Sequence, residues 1–307
     1  MEPNTALGSS PQRTVRGRVD LMPYWFMLPS LVAIAGVLLY PMAQAMVMSF
    51  QTVNLLRPEI GTPFIGLENF LQMLAQRSFW ESLRVTIAYS ALAVVGAFVI
   101  GLYMAVLLNT AFTGRGFARA LSIAPWAMPP VVTSIVWMWM YDPQFGVINY
   151  LLSAVGISKG ATAWLSDPFL ALPSVVLVAV WKHVPLATIT LLAGLQAIPA
   201  DQYESASIDG ANPFQEFLHV TLPGLKPVSG LLVLLLFLWT FKEFTYIYVL
   251  TGGGPGRATE TLVIQVYYQA FQFLNFGYAS AIGVVILVIC VVLSVIYLKL
   301  LYGQEGR

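Results

Sequence analysis

Lys182 and His183 sit side by side in one long apolar run, and Lys242 and Glu243 in another. An ionisable side chain at bilayer depth costs about 2.5–3.5 kcal/mol on insertion scales, so such residues face a bundle interior or a wet cavity. Trp181, Trp239 and Tyr246 lie beside them. Aromatic faces stack on sugar rings and charged groups hydrogen-bond hydroxyls, so this set suits a pathway for a polyhydroxylated solute. A structural alternative stands equally: Lys182 or Lys242 pairs with Glu243 and only holds helices together.

A second polar set lies between two apolar runs. The 200–227 stretch, ADQYESASIDGANPFQEFLHVTLPGLKP, carries Asp201, Glu204, Asp209 and Glu216 in a chain with 9% charged residues. Its spacing predicts two short helices. Asp201 and Glu204 fit N-cap and N3 of the first, and Gly210 fits the left-handed residue that ends it. Asn212, Pro213 and Gln215 fit N-cap, N1 and N3 of the second, which Pro223 and Pro227 are expected to stop. Tyr203, Ala206, Phe214, Phe217 and Leu218 supply apolar faces. Connectors are mostly a few residues long, and two successive caps are more than a connector needs. The segment therefore reads as a docking element for a cytoplasmic partner.

The elements that position these residues are membrane spans. Of 307 residues, 58% are hydrophobic, and a soluble chain would carry roughly 25% charged residues. Runs of spanning length lie at about 24–49, 85–108, 120–140, 171–195, 228–250 and 278–301. They predict an all-α polytopic chain of six transmembrane helices, with residues 1–20 disordered and 21–307 one transmembrane domain. A basic segment before the first run, with Ala43-Gln44-Ala45, also fits a signal peptide. The run exceeds an h-region of roughly 7–15 residues, so it reads as a retained helix. Pro29, Pro41, Pro125, Pro129, Pro130, Pro173 and Pro185 fall inside the runs. Neighbours can satisfy the carbonyls they free, so kinks around a cavity are expected.

With the N-terminus inside, Arg13, Arg16, Arg18, Arg115, Arg119, Lys226, Lys299 and Arg307 face the cytoplasm. Arg57, Arg77, Arg84, Lys159 and Arg257 then face outward. This asymmetry puts both termini and the 200–227 segment in the cytoplasm. The long outer segments 51–84 and 141–170 carry Phe64, Phe70, Phe79, Trp80 and Trp164, which read as interfacial anchors.

Several function classes find no support. A net charge of +1 offers no basic surface for nucleic acid. Cys290 is the single cysteine, and His183 and His219 have no ligand spacing, so neither an intrachain disulfide nor a metal site is expected. The phosphate-loop pattern is absent, including from glycine-rich 251–259, and no HExxH, GxSxG or paired-aspartate motif occurs. If ATP drives transport, another chain hydrolyses it. An ion-gradient transporter would use the midplane charges as relays, but its usual matching broken repeats are not visible. A membrane-embedded transferase would need carboxylates at the membrane face, which 200–227 offers without metal spacing.

At 200–227 the chain resembles the permease subunits of binding-protein-dependent ABC importers. Their EAA loop, E-A-A-x-x-x-G followed by I-x-L-P, stands here as Glu204-Ser205-Ala206, Gly210 and Val220-Thr221-Leu222-Pro223. Ser205 and Val220 depart conservatively from that pattern. The likeness covers most of the chain and narrows to the carbohydrate-type first permeases of the maltose, glycerol-phosphate and lactose kind. It does so through 65–70, 124–130, Trp137 with Gly146, Val147 and Asn149, then 193–199 and 248–255.

The resemblance implies the type I ABC importer permease fold in its plain six-helix form. It implies a lipid-embedded heterodimer with a second homologous permease in a bacterial or archaeal plasma membrane. Two ATPase subunits would hold ATP and magnesium, and an extracytoplasmic solute-binding protein would deliver a sugar. This chain would bind no cofactor and catalyse no reaction. The family likeness assigns ATPase coupling to Glu204, Ser205, Ala206, Asp209, Gly210, Ala211, Phe214, Phe217, Leu222 and Pro223.

Overall fold

The computed structural model describes residues 22–157 and 161–302. The expected disordered N-terminus, Lys159 and Arg307 lie outside the described residues. The chain divides after Gln44 into two compact units. Among the described residues there is no strand, only the isolated bridges Gln51–Phe64 and Asn54–Asn275.

The first apolar run is helical throughout. α1 (Met22–Ile34) passes through a widened π turn at Ala35–Leu39 into α2 (Tyr40–Ser49). None of its apolar window is buried within the chain. After it, Asn69 on α3 (Glu68–Ala75) donates to the carbonyls of Ser49 and Gln51 at 2.9 and 3.0 Å, fixing the turn out of the helix.

α4 (Arg77–Asn109) and α8 (Ala171–Gln196) form the main packing pair of the second unit. Their contact is made of small residues, which let helices approach closely where no hydrophobic effect drives them together. At Gly101 an added Cβ would lie 2.5 Å from Ala187 Cβ. The expected second span starts near residue 85, yet α4 begins at Arg77. The extra two turns hold an Arg77–Glu81 pair at 2.7 Å, i,i+4 on one face.

Two expected spans are broken. The third consists of α5 (Arg115–Ala127) and α6 (Pro130–Met140), which meet at 96°. α7 (Val147–Ala154) follows α6, and α8 leads into α9 (Ala200–Ile208). α10 (Pro213–Glu216), a π turn at Phe217–Thr221 and α11 (Leu222–Phe241) form one continuous helix, Pro213–Phe241. The fifth span therefore does not begin near 228, and it is interrupted at Lys242–Phe244 before α12 (Thr245–Thr251). α13 (Leu262–Tyr267) and α14 (Phe276–Tyr302) are the last helices among the described residues. Among the described residues five helices are long and apolar enough to cross a membrane, or six with the bent pair counted as one.

Candidate functional site

The 200–227 segment is a rigid elbow. α9 ends at Gly210, whose φ of +82° is the left-handed conformation. Gly210 N–H donates to Ser207 O at 3.1 Å and Ala211 N–H to Ala206 O at 3.0 Å. These two bonds close a Schellman motif and satisfy carbonyls left open by the last turn. The next helix opens on a full capping box: Gln215 N–H donates to Asn212 Oδ1 at 2.9 Å, and Asn212 N–H to Gln215 Oε1 at 2.8 Å. Ser207 Oγ donates to Glu216 Oε1 at 2.9 Å, and the Tyr203 and Thr221 hydroxyls meet at 3.1 Å. Both bonds tie α9 to the second arm.

Two sequence expectations for this segment fail. Asp201 does not cap α9, because Pro199 occupies the N-cap in extended backbone and Ala200 already begins the helix. Asp201 instead lies in the first turn, where a carboxylate meets the positive end of the helix dipole. Pro223 and Pro227 do not stop the second helix. The π turn just before Pro223, closed by Leu222 N–H on Phe217 O, re-spaces the backbone. The second arm is thus the base of the fifth span, joined to it without a loop.

Glu204, Ser205, Asp209, Gly210, Phe214, Leu222 and Pro223 are exposed, while Ala206, Ala211 and Phe217 are half-buried. Phe214 is 68% exposed and Ile208 86% exposed, one on each side of the elbow. Ile208 is absent from the sequence-based set. Its signal was available: a large apolar residue next to Asp209-Gly210, where a helix is ending.

The midplane residues separate into different roles. Lys182 Nζ donates to the carbonyls of Pro125 and Trp126, each at 3.0 Å, and of Met128. Glu243 Oε1 accepts from Thr245 N–H at 2.7 Å and Tyr246 N–H at 3.3 Å, at the start of α12. Each charge meets the broken-helix end of opposite polarity. Among the described residues Lys182, His183, Lys242 and Glu243 form no salt bridge with one another.

His183 and Trp239 come together, ring centroids 6.1 Å apart, and neither His183 nitrogen has a protein partner although the residue is buried. Trp181 packs edge-on against Trp137 at 5.7 Å, beside buried Tyr246 in the same cluster. Lys242 stands apart, lining a groove of about 450 Å³ with Leu238, Gly283, Ile286 and Cys290.

Residues 97–301 match the family of binding-protein-dependent transport system inner membrane components. The chain belongs to this family. The permease is 38% identical over 276 residues to the trehalose/maltose transport system permease protein MalF of Thermococcus litoralis, covering 90% of this chain and 92% of that one. It is 36% identical over 280 residues to the inner membrane ABC transporter permease protein YcjO of Escherichia coli, covering 90% and 93%. Its fold matches a chain of a bacterial ABC transporter involved in import of the acidic polysaccharide alginate. That match has a TM-score of 0.78 at 22% identity and covers 92% of the permease and 96% of the solved chain.

Proposed function

We propose that the permease forms half of the translocation pathway of an ATP-driven importer for an oligosaccharide or similar polyhydroxylated solute. A second homologous permease forms the other half. Two ATPase subunits, carrying ATP and magnesium, dock from the cytoplasm, one of them on the 200–227 elbow, and an extracytoplasmic binding protein presents the solute. Both termini then face the cytoplasm of a bacterial or archaeal cell.

The observation that carries the coupling role is the elbow itself: a doubly capped turn that projects Ile208 and Phe214 into solvent and runs directly into two spans. Capped helices transmit a push instead of absorbing it. On this reading the exposed apolar pair seats in the ATPase, and Glu204 and Asp209 set the polar rim. The sugar class draws on the relatives' names and on the aromatic and polar side chains gathered at midspan, Trp181, His183, Trp239 and Tyr246. Glu243 shapes that set by holding α12, and Lys182 by holding α5.

The test is uptake into proteoliposomes by the complete importer with its binding protein. Labelled trehalose, maltose and a panel of oligosaccharides, glycerol phosphates and amino acids serve as probes. ATP-dependent accumulation of a sugar is expected, with His183→Ala and Trp239→Ala raising KM. Accumulation driven by an ion gradient without ATP, or of amino acids alone, overturns the reading.

A further inference from the structure

We propose that Lys182 is a positioning residue that pins the bend of the third span to the helix running into the coupling elbow. The reason begins in the backbone. In an α-helix the carbonyls of Pro125 and Trp126 would accept from the N–H groups of residues 129 and 130. Those residues are Pro129 and Pro130, which have none. Pro125 O receives only a long 3.4 Å bond from Met128 N–H. An ammonium carries three donors, and Lys182 spends them on Pro125, Trp126 and Met128.

The lysine therefore replaces the donors that the double proline removes. Its positive charge also faces the negative end of the α5 dipole. Lys182 is 6% exposed and has no donor left for a solute.

The pin joins two helices. Lys182 belongs to α8, which continues to Gln196 and then, through Pro199, into α9 of the elbow. Beyond the bend, α6 carries Trp137, which packs on Trp181, and the chain holds Tyr141, whose hydroxyl donates to Ser174 O at 2.9 Å. A displacement of α8 thus reaches the bend at Lys182 and, through the Trp181–Trp137 contact, α6 beyond it.

Spin labels across the bend read this directly. In the full-length permease with its partner permease in nanodiscs, Cys290 becomes Ser, and labels replace the exposed Leu121 and Trp139. At 1.5 Å rise per residue the arms to the break are about 11 and 16 Å, so a 96° bend gives a separation of about 18 Å and a straight span about 27 Å.

The expected result is a narrow distribution near the shorter distance for wild type and for Lys182→Arg, which keeps the donors. Lys182→Met should broaden it. Pro129→Ala with Pro130→Ala should stay bent while Lys182 is present and move to the longer distance only when Lys182→Met is added. If Lys182→Met alone is not recovered, the triple variant, with its backbone donors restored, should be. An unchanged narrow distance in Lys182→Met, a proline-variant shift indifferent to Lys182, or failure to recover both methionine variants overturns the proposal.

Discussion

Replacing Gly210 isolates backbone conformation from contact. Its φ is +82°, and no atom lies within 4 Å of where a Cβ would sit. A side chain there meets open space, so the cost is conformational: about 1–2 kcal/mol for an L-residue held left-handed, with a β-branched residue at the upper end. That shifts the ratio of native to distorted elbow roughly 5–30-fold toward the distorted form, weakening the Gly210–Ser207 and Ala211–Ala206 bonds. Gly210→Val should cut ATP-driven uptake by the assembled importer by up to that factor. The thermal midpoint of the permease should stay unchanged, because the elbow is exposed and packs little. Gly210→Asn should retain most activity, since Asn tolerates the left-handed region. Uptake and ATPase copurification in matched nanodisc preparations check both. Normal coupling in Gly210→Val would refute the reasoning, as would equal loss in Gly210→Asn and Gly210→Val, which would mean that φ is not the reason for glycine.

Three further outcomes follow from the same geometry. Phe214→Ala should leave stability within about 0.5 kcal/mol because the ring is exposed. It should weaken ATPase binding by about 2 kcal/mol, roughly 30-fold in affinity, measured by titration of the purified ATPase. Glu243→Ala should lower the thermal stability of the permease by about 1–2 kcal/mol through loss of the α12 cap. Glu243→Gln, which keeps an acceptor oxygen, should lose far less in the same assay. Gly101→Ala would place a methyl 2.5 Å from Ala187 Cβ, so unfolding in detergent should show a loss of about 1–3 kcal/mol.

What was legible in the sequence is what local chemistry and hydropathy decide. Asn212-Pro213 with Gln215 can only cap in one way, and Gly210 after an Asp reads as a helix end without tertiary help. The apolar runs announce themselves by length. The α9 start was misplaced because proline serves as an N-cap by its geometry alone, without a side-chain bond to signal it. Pro223 misleads because the widened turn just before it re-spaces the backbone, and Pro227 because a membrane helix tolerates an interior proline whose freed carbonyl neighbours satisfy.

The breaks at Met128–Pro129 and Lys242–Phe244 are too short to end an apolar run, so both spans read as continuous. The use of Lys182 depends on a contact across more than fifty residues, which no local pattern contains. Pro129-Pro130 did hold half of it, since two adjacent prolines leave carbonyls that something must satisfy. The residue supplying the donors is visible only in three dimensions.

Coupling of ATP hydrolysis to transport requires the elbow to be the surface that receives the ATPase. Placing p-benzoylphenylalanine at position 214 in the complete, ATP-energised importer and irradiating it tests this directly. The account predicts a cross-link to the ATPase subunit, in an amount that changes with the nucleotide state. A cross-link to the solute-binding protein instead, or none to the ATPase in an importer that transports, would contradict it.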